Sequence, residues 1–252
     1  MTAAGQGSRT VWRLAFVVLM LALTAAFALL GFWQLQRLAE KEALIAKVAE
    51  RMDDAPVAYP PAADWPALDP AGYDYRTVSV IGRFLAGRTV LAFTSLANAR
   101  GEQGGPGYWV MTPLTLEKGG AVFVNRGFIP QAEAGGRVLF EPVEVAGPAL
   151  TLTGIARRAE SVSPFTPEPD VANRIDWVRD PARLAVLAGI DGSVAPIYLD
   201  LPAGAPGELP QGGETVFEFP NNHLGYALTW FGLALLTPIL LVFWWRRSAR
   251  GS

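Results

Sequence analysis

The sequence predicts a membrane α+β protein, with one transmembrane helix near each terminus and an exported β-rich domain carrying one or two short helices between them. Three observations predict it. Two long apolar runs, Leu14 to Trp33 and Leu224 to Trp245, carry no charged residue. Every Asp and Glu lies between those runs, whereas Arg9, Arg13, Arg246, Arg247 and Arg250 lie outside them. The intervening chain alternates apolar and polar residues in short segments bounded by Gly and Pro.

The first run fits a membrane span. At ~1.5 Å rise per residue, roughly 20 residues cover about 30 Å, the thickness of the hydrocarbon core. A cleaved signal sequence is the competing reading, but its apolar part is usually only ~7–15 residues. "WQLQRLAEKE" after the run also lacks a small-residue cleavage site. The basic flanks place both termini in the cytoplasm and the centre on the far side. The expected organisation is a cytoplasmic tail over 1–11, a first span over 12–34 and a helical extension over 35–55. An exported domain follows over 56–220, then a second span over 221–245 and a cytoplasmic tail over 246–252.

The extension keeps Leu35, Leu38, Leu44, Ile45 and Val48 near helical spacing among good helix formers, and ends before Pro56. The next stretch, "PVAYPPAADWPALDP", has five prolines in fifteen residues and reads as an extended linker wrapped on the domain.

From Tyr73 the period becomes two. "YDYRTVSVIGRFL", "RTVLAFTSL", "GYWVMTPLTL", "GAVFVNRGFIP", "LTLTGIARR", "APIYLDL" and "ETVFEF" are short, β-branched and aromatic, as strands of an antiparallel sheet are. "EKGGAV" supplies a Gly-Gly turn for a hairpin. One helix interrupts them. In "VRDPARLAVLAGI", Asp180 can cap, Pro181 fits the first helical position and Gly189 can close. Its apolar face is expected at Leu184, Val186 and Leu187, lying against the sheet.

Composition removes several chemistries. The chain has no cysteine and one histidine, His223. Cysteine nucleophiles, thiolate metal sites and thiol redox chemistry are absent. A Ser-His-Asp site needs its histidine beside the nucleophile, and a zinc hydrolase needs two or three. The four methionines are scattered, unlike those of a methionine-rich copper carrier. "GEQGGPG" lacks the Lys-Ser/Thr of a phosphate loop and reads as a plain loop. The net charge of −2 averages a basic inside over an acidic outside and gives no nucleic-acid footprint. A tethered hydrolase using a carboxylate pair is left without a distinct pair to point to.

What remains is His223, at the start of the second span in "NNHLGYALTWFGLALL". At ~100° per residue it shares a face with Tyr226 or Ala227 and with Trp230, and the small residues nearby let another helix approach. An imidazole at the rim of an apolar slot suits an axial ligand of haem iron. Spacing alone favours the other reading, a helix cap or an interfacial anchor. Trp33, Gln34 and Arg37 end the first span at matching depth, either as anchors or as partners of the second helix, a lipid phosphate or a propionate. Arg126, in "VNRGFIP", pairs with a buried acid or points at an anionic ligand.

Four stretches occur together and in this order: "GFWQLQRLAEKEALI", "VFVNRGFIP", "PIYLD" and "NNHLGYALTWFGLALL". With the two-helix layout they make the chain resemble the Surfeit locus protein 1 family of cytochrome c oxidase assembly factors, from about Trp12 to Trp245. The resemblance implies a non-enzymatic chaperone of the respiratory chain in the bacterial inner membrane. Its implied cargo is haem a, bound transiently and inserted into the large catalytic subunit of the oxidase. Implied partners are that subunit, haem a synthase or other assembly factors, and the lipid bilayer, with no nucleic acid. The family's haem-associated histidine matches His223, as axial ligand, and its tryptophan two turns on matches Trp230, as a packing wall. Its Gly-Phe/Trp-Trp-Gln-x-x-Arg signature matches Gly31, Phe32, Trp33, Gln34 and Arg37. Arg37 and Arg126 become candidate propionate partners and Tyr226 a further cofactor contact. Two positions depart from the family pattern: Phe128 stands where tryptophan is common, and Gly225 where many members carry glutamine. The alternative role is a non-haem membrane scaffold that holds oxidase subunits or assembly factors together.

Overall fold

The computed structural model describes residues 4–139, 149–215 and 221–250. It divides into two units, Met1–Lys47 with Glu218–Ser252, and Val48–Phe217.

The first unit is a helix pair. Helix α1 runs unbroken over Ala4–Asp53, because no glycine pair or proline interrupts its good helix formers until Pro56. A second long helix spans His223–Arg250. Both are long and apolar enough to cross a membrane. Their sheltered positions recur at alternating steps of three and four: Val17, Met20, Thr24, Phe27, Gly31, Gln34 and Leu38 on α1, and His223, Ala227, Trp230, Ala234, Thr237, Leu241 and Trp244 on its partner. That period of 3.5 is the seam of a coiled coil. The contacts descend one helix as they climb the other, so the pair is antiparallel. Phe27 stacks on Trp230 at 5.7 Å, Thr24 Oγ1 lies 2.9 Å from Thr237 Oγ1, and Phe16 meets Trp244 at 4.6 Å. Thr237 Oγ1 also lies 3.3 Å from the Ala234 carbonyl, the oxygen that Pro238 has no N–H to reach.

A cysteine-free chain makes this seam easy to test. Thr24→Cys combined with Thr237→Cys is expected to cross-link on mild oxidation, read as a mobility shift on a non-reducing gel. Thr24→Cys with Leu235→Cys, whose leucine is 67% exposed, is expected not to.

The second unit is built on strands: β1 (Val57–Ala58), β2 (Thr77–Phe84), β3 (Val90–Leu96), β4 (Gly105–Leu116), β5 (Ala121–Pro130), β6 (Leu150–Arg158), β7 (Ile175–Asp176) and β8 (Ile197–Asp200). They pair in the order β1-β2-β6-β8-β5-β4-β3-β7, and β2 pairs again with β4. Strands β2, β6, β8, β5 and β4 therefore close into a five-stranded ring, with β3 and β7 continuing outward from β4. Closure rests on Gly82–Phe84 of β2 against Leu114–Leu116 of β4. The Gly-Gly turn falls where expected: Gly119 and Gly120 have φ of +88° and +79°, which side-chain-bearing residues rarely adopt.

All five ring strands contribute to one interior cluster, including Val78, Val80, Leu114, Val124, Ala156 and Leu199. Tyr59 and Trp65 join it, which corrects the reading of the proline-rich stretch. That stretch forms β1, a 3₁₀ turn over Ala62–Ala67 and the short helix α2 (Pro70–Tyr73). Its two aromatics are core residues. Tyr59 donates to the Ile197 carbonyl at 2.8 Å and Trp65 to that of Pro60 at 2.9 Å.

Helix α3 (Pro181–Ala188) covers the outer face of β3, β4, β5 and β8, through Leu184, Ala185, Leu187 and Ala188. Asp180 accepts from the Ala182 N–H, and Gly189 closes the helix at φ +63°. Val186 is 79% exposed, against expectation. At ~100° per residue it points away from the face that 184, 185, 187 and 188 share. Of "ETVFEF", Glu214 and Thr215 are in no strand, and the rest lies outside the described residues. The remaining long helix, His223–Arg250, is α4.

Candidate functional site

His223 is the first residue of α4 and Gln34 a seam residue of α1. His223 Nδ1 lies 2.7 Å from Gln34 Oε1. Gln34 is 8% exposed, with Gly31 one turn below it on the seam. The ring is half-buried, and among the described residues Gln34 is its partner. The imidazole thus turns toward the other helix, and Nε2 has no hydrogen-bond partner among the described residues.

The other sequence-selected residues divide by face. Trp230 sits two turns below His223 on the seam, half-buried and stacked on Phe27. Trp33, 48% exposed, and Tyr226, 57% exposed, face outward. Arg37 lies over the Trp33 ring at 5.7 Å and pairs with Glu40 at 2.9 Å. Both members of that pair are about half exposed, and such a pair holds its partners weakly. Arg126 belongs to the strand unit. Its guanidinium lies 5.6 Å from the Phe84 ring centre. Its neighbour on β5, Asn125, reaches a buried acid: Asn125 Nδ2 donates to Asp200 Oδ1 at 2.8 Å.

Sequence reasoning missed the charge centre around that acid. Asp200, 1% exposed, ends β8. It accepts from Thr215 Oγ1 at 2.9 Å and faces Arg157 at 3.5 Å and Arg179 at 3.8 Å. Arg157 also binds Asp74 at 3.1 Å. The Arg179 guanidinium lies over the Trp109 ring at 5.0 Å and the Tyr198 ring at 5.4 Å, and bonds Glu160. The available signal was a Lys/Arg or Asp/Glu at each strand end in "GIARR" and "YLD"; the pattern gave no indication that these ends converge. Burial pushes the Tyr198 phenol up, so it stays neutral. Burial also works to raise the Glu160 carboxyl, but the Arg179 charge and hydrogen bonds outweigh it and hold the carboxyl below its ordinary 4.5.

A depressed folded-state carboxyl stabilises the fold above its unfolded value, and that contribution is lost as pH falls through the folded value. Stability is therefore expected to fall with acidification below about 4.5. Glu160→Gln is expected to flatten that slope, as read by thermal melts across pH 3–6 (roughly 1.5 units either side of the ordinary carboxyl value).

A cavity of about 860 Å³ opens between Thr77, Thr153 and Ile155 and the 201–215 segment. Glu214 in its wall is 4% exposed. Its carboxylate is committed to the backbone N–H groups of Arg100 and Gly101, at 2.9 and 2.7 Å, and to Gln211 Nε2 at 2.8 Å. It ties loops together.

Comparison with known proteins covers the helix pair and the ring alike. The model of the SURF1 family matches residues 21–235, which takes in Gln34, the strands and His223. The chain belongs to the SURF1 family. A SURF1-like protein of Drosophila melanogaster is 32% identical over 88% of this chain and 73% of its own length. Surfeit locus protein 1 of Homo sapiens is 31% identical over 93% of this chain and 78% of its own, and that of Rattus norvegicus is 31% identical over 88% and 72%. The SURF1 match is thus to most of the chain on both sides.

Proposed function

We propose that this SURF1-family chain is a two-pass membrane assembly factor for haem a–copper cytochrome c oxidase. It binds haem a transiently through His223 and aids its insertion into the large catalytic subunit, without catalysing a reaction of its own. The setting is a bacterial inner membrane, with both termini cytoplasmic and the ring domain periplasmic. Membership of the SURF1 family, two apolar terminal helices and the arginines outside them support this. Oxidase subunits and other assembly factors, haem a synthase among them, are the expected partners.

The single observation that carries the haem reading is the direction of the only imidazole. Its ring is held across the helix seam by a side chain on one nitrogen, while no described residue bonds the other. The residues fit the group. A neutral imidazole is a haem-iron ligand, and the exposed rings of Trp33 and Tyr226 offer apolar surface at the same end of the pair. Haem a, when bound, supplies an iron that accepts an imidazole nitrogen and a carbon-rich macrocycle that prefers apolar walls. Arg37 would serve a propionate, since its exposed pairing with Glu40 is readily exchanged. One protein ligand on the iron suits a carrier that must release.

A second reading is favoured by one contact. Trp230 spends a face on Phe27 within the seam, as a residue of a purely structural helix pair would. On that reading the chain is a scaffold for oxidase subunits or assembly factors, and His223 only braces the helices. Oxidase purified from a His223→Ala strain separates them. The haem reading expects haem a per oxidase to fall while the variant chain accumulates normally. Full haem content at normal chain levels would leave the scaffold.

A further inference from the structure

We propose that Gln34 is a positioning residue: it fixes His223 in the Nδ1–H tautomer, so that Nε2 carries the lone pair presented to iron. The inference rests on the haem reading and adds which nitrogen binds and what holds it. The Gln34 atom facing the ring, 2.7 Å from Nδ1, is the carbonyl oxygen Oε1. A carbonyl oxygen only accepts, so Nδ1 must be the donor. A neutral imidazole has one N–H, and Nε2 is therefore the bare nitrogen. A histidine that ligates metal characteristically donates its other N–H to a carbonyl or carboxylate, which fixes tautomer and ring plane together. Here that outer partner comes from the other helix. Gln34 is itself buried on the seam, so its position depends on the packing of Gly31, Ala227 and the residues below. Ring orientation is thereby coupled to the pairing of the two helices.

The choice of an amide also matters. A carboxylate at position 34 would draw the Nδ1 proton toward itself and make Nε2 a stronger donor. A neutral carbonyl orients the ring with less push on the metal, which matches a carrier better than a permanent haem protein.

The experiment uses the full chain in nanodiscs, labelled with ¹⁵N-histidine. Because the chain has one histidine, one pair of ring nitrogens is observed. In the wild type without haem, at a pH where the ring is neutral, Nδ1 is expected as the protonated nitrogen and Nε2 as the bare one. Gln34→Leu is expected to release the ring to the mixture of a free imidazole and to weaken haem a binding about 10–100-fold. Gln34→Glu, which keeps the acceptor, is expected to retain binding and to raise the iron–histidine stretching frequency in resonance Raman spectra. It also guards against a leucine variant that fails to fold. An Nε2–H tautomer in a wild-type chain that binds haem a would overturn the positioning role alone. An Nδ1–H tautomer in a wild-type chain that takes up no haem a would overturn the haem reading, and the role with it.

Discussion

Asp200→Leu is expected to be among the most damaging single substitutions in the ring domain, lowering stability by about 3–5 kcal/mol. The carboxylate is buried and takes hydrogen bonds from Asn125 and Thr215. More important, it stands between two guanidiniums, those of Arg157 and Arg179. Leucine would leave both cations with less compensation, and they raise each other's cost: Arg179 works against the charged form of Arg157. A buried ion pair adds little net stability when intact, because desolvation offsets attraction, but removing one member leaves the other's desolvation uncompensated. Asp200→Asn keeps the hydrogen-bonding shape without the charge and should fall between. Denaturant midpoints of the solubilised chain measure the series. A leucine variant within about 1 kcal/mol of wild type would mean that Asp74 and Glu160 carry the two arginines unaided.

Gly31→Leu is expected to open the helix seam. A side chain there has no room: a Cβ on Gly31 would lie 2.7–2.9 Å from three atoms of the Phe231 ring. Phe231 in turn packs edge-on against Phe32 at 5.3 Å, so either its ring shifts or the helices part. Overpacking of this kind costs about 1–3 kcal/mol, which is roughly 5-fold to 150-fold in an equilibrium. Gln34 lies one turn away, so the hydrogen bond to His223 should weaken with the seam. In the Thr24→Cys, Thr237→Cys background, the cross-linked fraction is expected to fall several-fold. An unchanged fraction would show that Phe231 yields and the helices stay.

Much of the fold was readable because its causes are local. Absence of charge over 14–33 and 224–245 specified long apolar helices. Asp180, Pro181 and Gly189 marked both ends of α3, and Gly119–Gly120 marked the hairpin. The period of two in "YDYRTVSVIGRFL" marked β2 as a strand. The rest depends on contacts distant in sequence. Closure of β2 on β4 leaves no local mark. Proline counts argue against regular structure but not against packing, so Tyr59 and Trp65 were hidden in an apparent linker. Val186 faces solvent against expectation because a helix of 8 residues offers too little pattern to set its phase. Asp200 looks like any polar strand end until Arg157 and Arg179 are brought beside it.

The site was legible to a similar depth. Composition singled out His223, because no other imidazole exists to compete for the role. The matching ends of the two apolar runs brought Gln34, Trp33 and Arg37 into consideration. Which of those three meets the ring depends on helix phase across the seam, and only packing selects Gln34. Which nitrogen is engaged depends on the orientation of one amide, about which a sequence is silent.

The most direct test is a spectral titration of the solubilised chain with haem a, wild type against His223→Ala. The variant is expected to lose the histidine-ligated iron spectrum and about 100-fold or more in affinity, beyond what loss of an outer partner alone produces. Equal affinity and an identical iron spectrum in the two proteins would contradict it.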